Sequence, residues 1–308
     1  MKIAIVGAGA MGSMTGGLLK EAGKDVCLYS TNKEHIARIR TDGLLLEGIG
    51  GERIVPIEAT DAIEDLGPAD LIILCVKSYD TKAAAEAAVK IAAEETTVLT
   101  LQNGLGNVEI LERVFGSQRV LAGTSDAAAT VIEPGRIRHT AHGNIYIGEA
   151  DGRITERVEK IVSLFKAGGF KTYASDNVMG LIWTKLIFNL GINPLGAILR
   201  AKCRKLIDNE PSRATMKLIV EEALRVAAAK GIRLLYEDML QAAYDLAEKN
   251  ADSFSSMVQD MFKGKKTEID FISGAVVREG QKIGIQTPIN QIMSYLVKAL
   301  EETRPGGA

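Results

Sequence analysis

Along the first half of the chain, short apolar runs alternate with longer stretches of helical spacing. "KIAIVG" is a β-branched run that closes on Gly7, the pattern of a strand buried on both faces of a parallel sheet. Helical spacing follows from Met11 to about Ala22 and stops at Gly23. "DVCLYS" is the next strand, and residues 34–41 the next helix. "ADLIILCV" is a strongly apolar strand, and "TKAAAEAAVKIAAEE" a helix rich in alanine and in charge pairs four apart. "TVLTLQN", "GNVEILERVF" and "RVLAGTS" then supply strand, helix and strand. This βαβα rhythm predicts a parallel sheet covered by helices on both faces. Between Val131 and Ala150 the chain alternates and turns on glycines, which predicts an antiparallel extension of that sheet.

Beyond Ser175 the strand pattern gives way to apolar stripes of helical period. They predict helices over 177–199, 210–230, 236–248, 255–263, 269–282 and 290–303, with "SDN" at 175–177 as a cap and the tail "RPGGA" frayed. The fold class is therefore α/β: an N-terminal doubly wound parallel sheet over 1–175, then an all-helical C-terminal domain over 176–308.

Composition narrows the function. The 308 residues carry 37 Lys and Arg against 39 Asp and Glu, a formal charge of −2. That balance excludes a nucleic-acid-binding class, which needs a basic excess. The apolar runs fall short of the roughly 18 residues of a membrane span, and no signal peptide is read at the N-terminus, so a cytoplasmic protein is expected. Cys27, Cys75 and Cys203 form no CxxC pair and read as buried small hydrophobes. His35, His139 and His142 do not cluster with acids at ligand spacing, so no metal is expected; His139 and His142 read as surface or turn residues.

The turn "IVGAGAMG" places Gly7, Gly9 and Gly12 in G-x-G-x-x-G spacing between a strand and a helix. That context marks a Rossmann-type dinucleotide site. Gly7 permits the tight turn, Gly9 lets the backbone approach a pyrophosphate, and Gly12 lets helix and strand pack closely; Ala8, Ala10 and Met11 complete the cradle. An NAD site ends its second strand in an acid, but here the strand ends "LYSTNK". Thr31 and Lys33 suit a 2′-phosphate, so NADPH/NADP is the expected cofactor, with NADH the alternative. Lys77, after "ADLIILCV", and Asn103, in "LQNGLGN", sit at carboxyl ends of strands, on the ligand edge of such a sheet. Turn chemistry alone would also explain Asn103 before a glycine.

"WTKLIFNLGINP" is apolar enough for a core helix, yet Lys185, Asn189 and Asn193 recur every fourth residue and so share one face. Either they bond neighbouring helix ends, or they await a polar ligand.

With these pieces in place, the chain resembles the ketopantoate reductases (2-dehydropantoate 2-reductases) over nearly its whole length. The markers are "GAGAMG" at 7–12, "VK" at 76–77, "QNGLGN" at 102–107, "WTKLIFNLGINPLGAI" at 183–198, "SSMVQD" at 255–260 and "KKTEIDFISG" at 265–274. The resemblance implies NADPH-dependent reduction of 2-dehydropantoate to pantoate, on the way to pantothenate and coenzyme A. It implies that Lys185 is the catalytic proton donor and that Asn189 and Asn193 bind substrate. It makes Ser256 the contact to the substrate carboxylate. Asn103 and Glu268 would line the nicotinamide and substrate region, and Lys77 and Ala129 would touch cofactor.

The chemistry agrees. Hydride transfer to a ketone builds negative charge on oxygen, which a lysine ammonium can stabilise and protonate. Glu268 could orient that ammonium or bind the cofactor. Two departures from the family pattern stand out: Cys203 and Arg204 occupy the place of a frequent Asn-Gly pair whose Asn holds substrate, and Thr31 replaces a frequent Arg. A reductase of another branched 2-oxo acid is therefore the second reading, and a non-catalytic dinucleotide sensor the third. A homodimer is expected through the helical domain.

Overall fold

A computed structural model describes residues 1–303; the frayed tail expected at 304–308 lies outside the described residues. The chain divides into two compact units: Met1–Gln102 with Asn107–Met179, and Asn103–Gly106 with the chain from Gly180 onward.

The first unit contains β1 (Lys2–Val6), β2 (Asp25–Tyr29), β3 (Leu44–Gly48), β4 (Arg53–Val55), β5 (Glu58–Thr60), β6 (Ala69–Leu74), β7 (Ala92–Thr100), β8 (Val120–Ser125), β9 (Ala128–Glu133), β10 (Arg136–Ala141), β11 (Asn144–Gly148) and β12 (Lys171–Ala174). Eight of them form one sheet in the order β12-β11-β8-β7-β6-β1-β2-β5. Only the β8–β11 pairing is antiparallel. Helices α1 (Ala10–Glu21), α2 (Lys33–Asp42), α3 (Thr81–Ala88), α4 (Asn107–Phe115) and α5 (Glu156–Ala167) join the strands. Ile3, Ile5, Leu71, Ile73 and Leu99 are fully buried, as expected of parallel strands covered on both faces.

The register sets the functional edge. Val6 pairs with both Tyr29 and Leu74, and Leu74 pairs with Thr100. The carboxyl ends of β1, β2, β6 and β7 are thus level, and their loops share one edge.

Two sequence expectations are corrected. The antiparallel extension read from Val131 joins the main sheet only through β11. Strands β9 and β10 belong to a second sheet, β4-β3-β10-β9, because β10 pairs parallel with β3. The helix read over 81–95 ends at Ala88. A tight turn over Val89–Ile91 follows, and then strand β7. There the Thr96 hydroxyl donates to the Ala69 carbonyl at 2.6 Å and accepts from the Ala93 N–H at 2.8 Å, tying this stretch to β6. A pair of β-branched residues, Thr96 and Thr97, outweighs the local alanine signal.

The second unit is built on α6 (Val178–Leu199), with α7 (Cys203–Asp208), α8 (Glu210–Ala229), α9 (Met239–Lys249), α10 (Ser256–Phe262), α11 (Ser273–Lys282) and α12 (Pro288–Glu302) around it. Glycines set the approach of its neighbours. A Cβ on Gly191 would lie 3.6 Å from Met216 and Val220 of α8, and one on Gly196 would lie 3.2 Å from Val258 of α10. Ile192, Leu195, Cys203, Leu206, Met216 and Ala247 form a core cluster. Helix α6 is long and apolar enough to cross a membrane, but 72% of its most apolar window is buried within the protein. It is the core helix of this unit.

The stretch read as one helix over 269–282 is broken. Ile269–Phe271 forms a 3₁₀ turn, Ile272 departs from helical geometry, and α11 begins at Ser273. The carboxylate of Glu222 on α8, 2% exposed, accepts from the N–H groups of Ile289 and Asn290 and from Asn290 Nδ2, each at 2.9 Å. A buried acid from one helix thereby caps the start of α12.

Candidate active site

The glycine turn has the geometry of a phosphate cradle. Gly7 has φ +106°, and a Cβ there would stand 2.6 Å from the Val76 nitrogen. The N–H groups of Gly7 and Ala8 both donate to the Tyr29 carbonyl at 2.9 Å, locking the turn onto β2. A Cβ on Gly12 would collide with the Gly7 carbonyl oxygen. Gly9 differs from both: a Cβ on it would meet nothing within 4 Å. The protein leaves that space open, room through which a ligand could approach the bare backbone.

Gly9 also caps α1 without a side chain, and the first turn, Ala10, Met11 and Gly12, carries no acid. The opening N–H groups of a helix lack intrahelical partners and attract an anion. The residues fit a dinucleotide pyrophosphate on the chemistry of this donor set.

A buried relay supports the turn. Gly135 N–H donates to His35 Nδ1 at 2.9 Å, which leaves the ring proton on Nε2, facing Ser13 Oγ at 3.1 Å. The Ser13 hydroxyl in turn donates to the Ala8 carbonyl at 3.1 Å. Burial pushes His35 below the ordinary histidine range.

After β2, Ser30 and Asn32 are taken up by local structure. Ser30 Oγ accepts from Asn32 N–H at 3.2 Å, and Asn32 Oδ1 accepts from His35 N–H at 3.1 Å as the cap of α2. Thr31 and Lys33 stay exposed on this edge. Lys77, half-buried, opens the short turn over Ser78–Asp80 after β6. A polar web lies behind it: Gln102 Nε2 donates to the Val76 carbonyl at 2.7 Å and to Thr81 Oγ1 at 2.8 Å. Thr81 donates to Asn107 Oδ1 at 2.9 Å, and Asn107 Nδ2 to Ser78 Oγ at 3.2 Å. Sequence reasoning did not single out Gln102, Thr81 or Ser13. A glutamine at the end of an apolar strand was the available signal for the first. Ala129 lies half-buried on β9, paired with His139.

In the second unit, α6 carries Lys185, Asn189 and Asn193 on one face, with Pro194 inside the helix. Lys185 and Asn189 are half-buried, and Asn193 is 4% exposed. Among the described residues none supplies a hydrogen bond to the Asn189 or Asn193 side chain. Neither amide is among the buried polar atoms that lack a partner, so the stripe keeps polar atoms at the surface of this unit, where a ligand could bond them. The same face continues to Gly196, where Val258 of α10 comes close. Ser256 is the exposed first residue of that helix, two positions before Val258.

Glu268 is 9% exposed, in the turn that precedes Ile269–Phe271. It does not sit on a wet face. The segment Asn103–Gly106 groups with this unit, and Leu105 N–H donates to the Phe271 carbonyl at 2.9 Å. Asn103 and Glu268 therefore belong to segments that touch.

Other expectations shift. His139 is buried rather than a surface residue, with Nε2 3.1 Å from the Ala141 carbonyl, and burial holds it below the ordinary range. Burial pushes the Cys75 thiol up to about 12 and, with the Glu58 charge, Cys27 up to about 11, so neither is a nucleophile. Among the described residues no group of three or more His, Cys, Asp or Glu could hold a metal ion.

The family model described as "Ketopantoate reductase PanE/ApbA" matches residues 3–152, and its C-terminal companion matches 177–301. The chain belongs to the ketopantoate reductase family. It is 37% identical to the 2-dehydropantoate 2-reductase of Pyrococcus horikoshii, over 99% of each chain. It resembles the crystal structure of a PanE/ApbA family ketopantoate reductase from Ralstonia eutropha JMP134 with TM-score 0.92 and 36% identity, over 98% of this chain and 99% of that one. D-mandelate dehydrogenase, solved with NADH and anilino(oxo)acetate, matches with TM-score 0.92 and 28% identity, over 98% and 99% of the two chains.

Membership supports a nicotinamide dinucleotide as the cofactor of the glycine turn. Where the family often has Asn-Gly, Cys203 is 4% exposed and packed in the core, and Arg204 is exposed with its guanidinium 3.9 Å from Asp252.

Proposed function

We propose that this protein reduces 2-dehydropantoate to (R)-pantoate with NADPH, as a step of pantothenate and coenzyme A biosynthesis. The observation that carries the reading is the α6 stripe: a lysine and two amides recurring every fourth residue on one face of an otherwise apolar helix.

Gly7, Ala8, Gly9, Ala10, Met11 and Gly12 would hold the pyrophosphate by backbone N–H groups, and Lys77, Asn103 and Ala129 would contact the rest of the dinucleotide. Thr31 and Lys33, exposed after β2 where an NAD site places an acid, would take the 2′-phosphate. A bound nicotinamide supplies the hydride. Lys185 holds the proton that the ketone oxygen takes up, and its charge stabilises that oxygen as it becomes negative. Asn189 and Asn193 orient the hydroxyl and carbonyl groups by hydrogen bonds, and the Ser256 hydroxyl receives the carboxylate. Glu268 orients the Lys185 ammonium.

A second reading, reduction of another branched 2-oxo acid, draws on Cys203. Its buried thiol offers no amide where the family often has one. NADH is the alternative cofactor. We also assign the protein to the cytoplasm, as a homodimer. Ile292, Tyr295 and Leu296, exposed together on α12, support an apolar contact with a second copy.

The test is NADPH oxidation with 2-dehydropantoate, with other 2-oxo acids and NADH in parallel, and light scattering for the dimer. Turnover fastest with 2-dehydropantoate and NADPH is expected. No turnover with any 2-oxo acid would remove the enzyme reading.

A further inference from the structure

Asn103 is the last residue before a turn whose shape is set by one backbone contact. Gly104 has φ +85°, and a Cβ on it would collide with the Phe271 carbonyl oxygen and lie 2.9 Å from the Phe271 Cβ. That carbonyl accepts the N–H of the next residue, Leu105, at 2.9 Å. Gly106, φ +102°, faces the Phe271 ring at an ordinary 3.8 Å.

The accepting side is itself held. Phe271 N–H donates to the Glu268 carbonyl at 2.9 Å, and Ile272 N–H to the same oxygen at 3.1 Å. Asp270 pairs with Lys298 at 2.5 Å, and the Arg278 guanidinium sits 5.9 Å from the Phe271 ring centre. The segments that carry Asn103 and Glu268 are thus joined by backbone hydrogen bonds that need a bare glycine at 104. Asn103–Gly106 groups with the helical unit, and its turn is bonded to the Phe271 segment through Leu105.

We propose that Gly104 is a positioning residue, a backbone clasp on the Phe271 carbonyl that fixes Asn103 for the reaction. The proposal rests on the functional reading above, in which Asn103 lines the site. A methyl at 104 must push the turn off Phe271 and carry Asn103 with it, and a displacement near 1 Å in a catalytic constellation lowers rate by as much as about 10²-fold.

The experiment is a double-mutant cycle read in kcat. Gly104→Ala in the wild-type chain is expected to lower kcat on the order of 10-fold to 10²-fold. In an Asn103→Ala background the same change is expected to alter kcat by less than about twofold, because the residue through which it acts is gone. Gly106→Ala carries a similar left-handed backbone penalty without the collision and is expected to keep most of kcat. If Gly104→Ala does not fold, Phe271→Ala, which loosens the same carbonyl, replaces it in the cycle.

Equal losses in both backgrounds, or equal losses from Gly104→Ala and Gly106→Ala, overturn the clasp. So does an undiminished kcat in Gly104→Ala while the wild type turns over, and the functional reading then stands. A wild type without turnover overturns both.

Discussion

The Gly9 N–H closes onto the Gly7 carbonyl at 2.8 Å, and the resulting turn leaves open space where a Gly9 side chain would begin. The glycines of the turn therefore differ. The protein's own packing requires Gly7 and Gly12, whereas it leaves Gly9 unconstrained, as the proposed pyrophosphate cradle needs.

Gly9→Ala should consequently leave the fold intact, since φ is −80° and the new methyl meets no protein atom. Stability should change by no more than about 0.5 kcal/mol. NADPH affinity, measured by fluorescence titration, should fall at least about tenfold because the methyl stands where the pyrophosphate must approach. Gly12→Ala should show the reverse emphasis, with a loss of folded protein. Unchanged NADPH binding in Gly9→Ala would refute the cradle.

Thr31→Ala and Lys33→Ala address the phosphate. Both side chains are exposed, so neither change should disturb folding. Each should raise KM for NADPH more than KM for NADH, as removal of a phosphate contact demands. Equal effects on the two cofactors would show that this edge does not read the 2′-phosphate.

The α6 stripe separates two kinds of residue. Lys185→Ala should lose kcat on the order of 10²-fold or more if it delivers the proton. Asn193→Ala should instead raise KM for the 2-oxo acid on the order of tenfold, about one hydrogen bond. Asn193 is 4% exposed, so the truncation should also cost some packing, about 1 kcal/mol, without the larger loss of a broken buried network. A large drop in Tm with unaltered KM would make Asn193 a structural residue.

How much of this was legible beforehand follows from the range of the interactions involved. The strand–glycine–helix unit and the four-residue spacing on α6 are local patterns, so the sequence alone displays them. The pairing of β10 with β3 and the docking of Leu105 on Phe271 join segments far apart in the chain. No periodicity announces them. The early end of α3 was missed because alanine favours a helix, whereas the Thr96–Ala69 bond that decides the matter is tertiary. His139 was misplaced for a similar reason. Its segment alternates, but which of its faces is buried depends on the second sheet.

Glu222 offers a test of the helical unit alone. Its carboxylate accepts three hydrogen bonds at the start of α12 from a nearly dry position. Glu222→Ala strands those donors and should destabilise by about 3 kcal/mol in denaturant titration. Glu222→Gln keeps the shape but turns one acceptor into a donor, and should fall between the two. A loss below about 0.5 kcal/mol for Glu222→Ala would show that water replaces the cap.

The last prediction concerns pH. His35 is 2% exposed, and its Nδ1 must stay unprotonated to accept from Gly135 N–H. Burial holds it below the ordinary histidine value, so the native state resists a proton that the unfolded chain accepts near pH 6.5. Below that pH the unfolded state carries the extra proton, and stability must fall with pH, by at most about 1.4 kcal/mol per unit for one group. Above it His35 contributes no slope. Glu47 and Glu149 are held below the ordinary carboxylate value, Glu47 by hydrogen bonds from Arg136 and Arg138 and Glu149 by those from Arg157 and Thr155 against its burial. Their contribution is lost only at more acid pH, below about 4.5. His139 shifts in the same direction as His35, so the measurement must be a difference. Urea titrations from pH 8 to pH 5 should show a steeper fall for the wild type than for His35→Gln, whose amide can accept from Gly135 but cannot titrate. The native ring stays neutral over this interval, so the difference belongs to unfolding and not to the Ser13 bond that supports the Ala8 carbonyl. Parallel urea curves for the two proteins would show that His35 contributes nothing to the pH dependence.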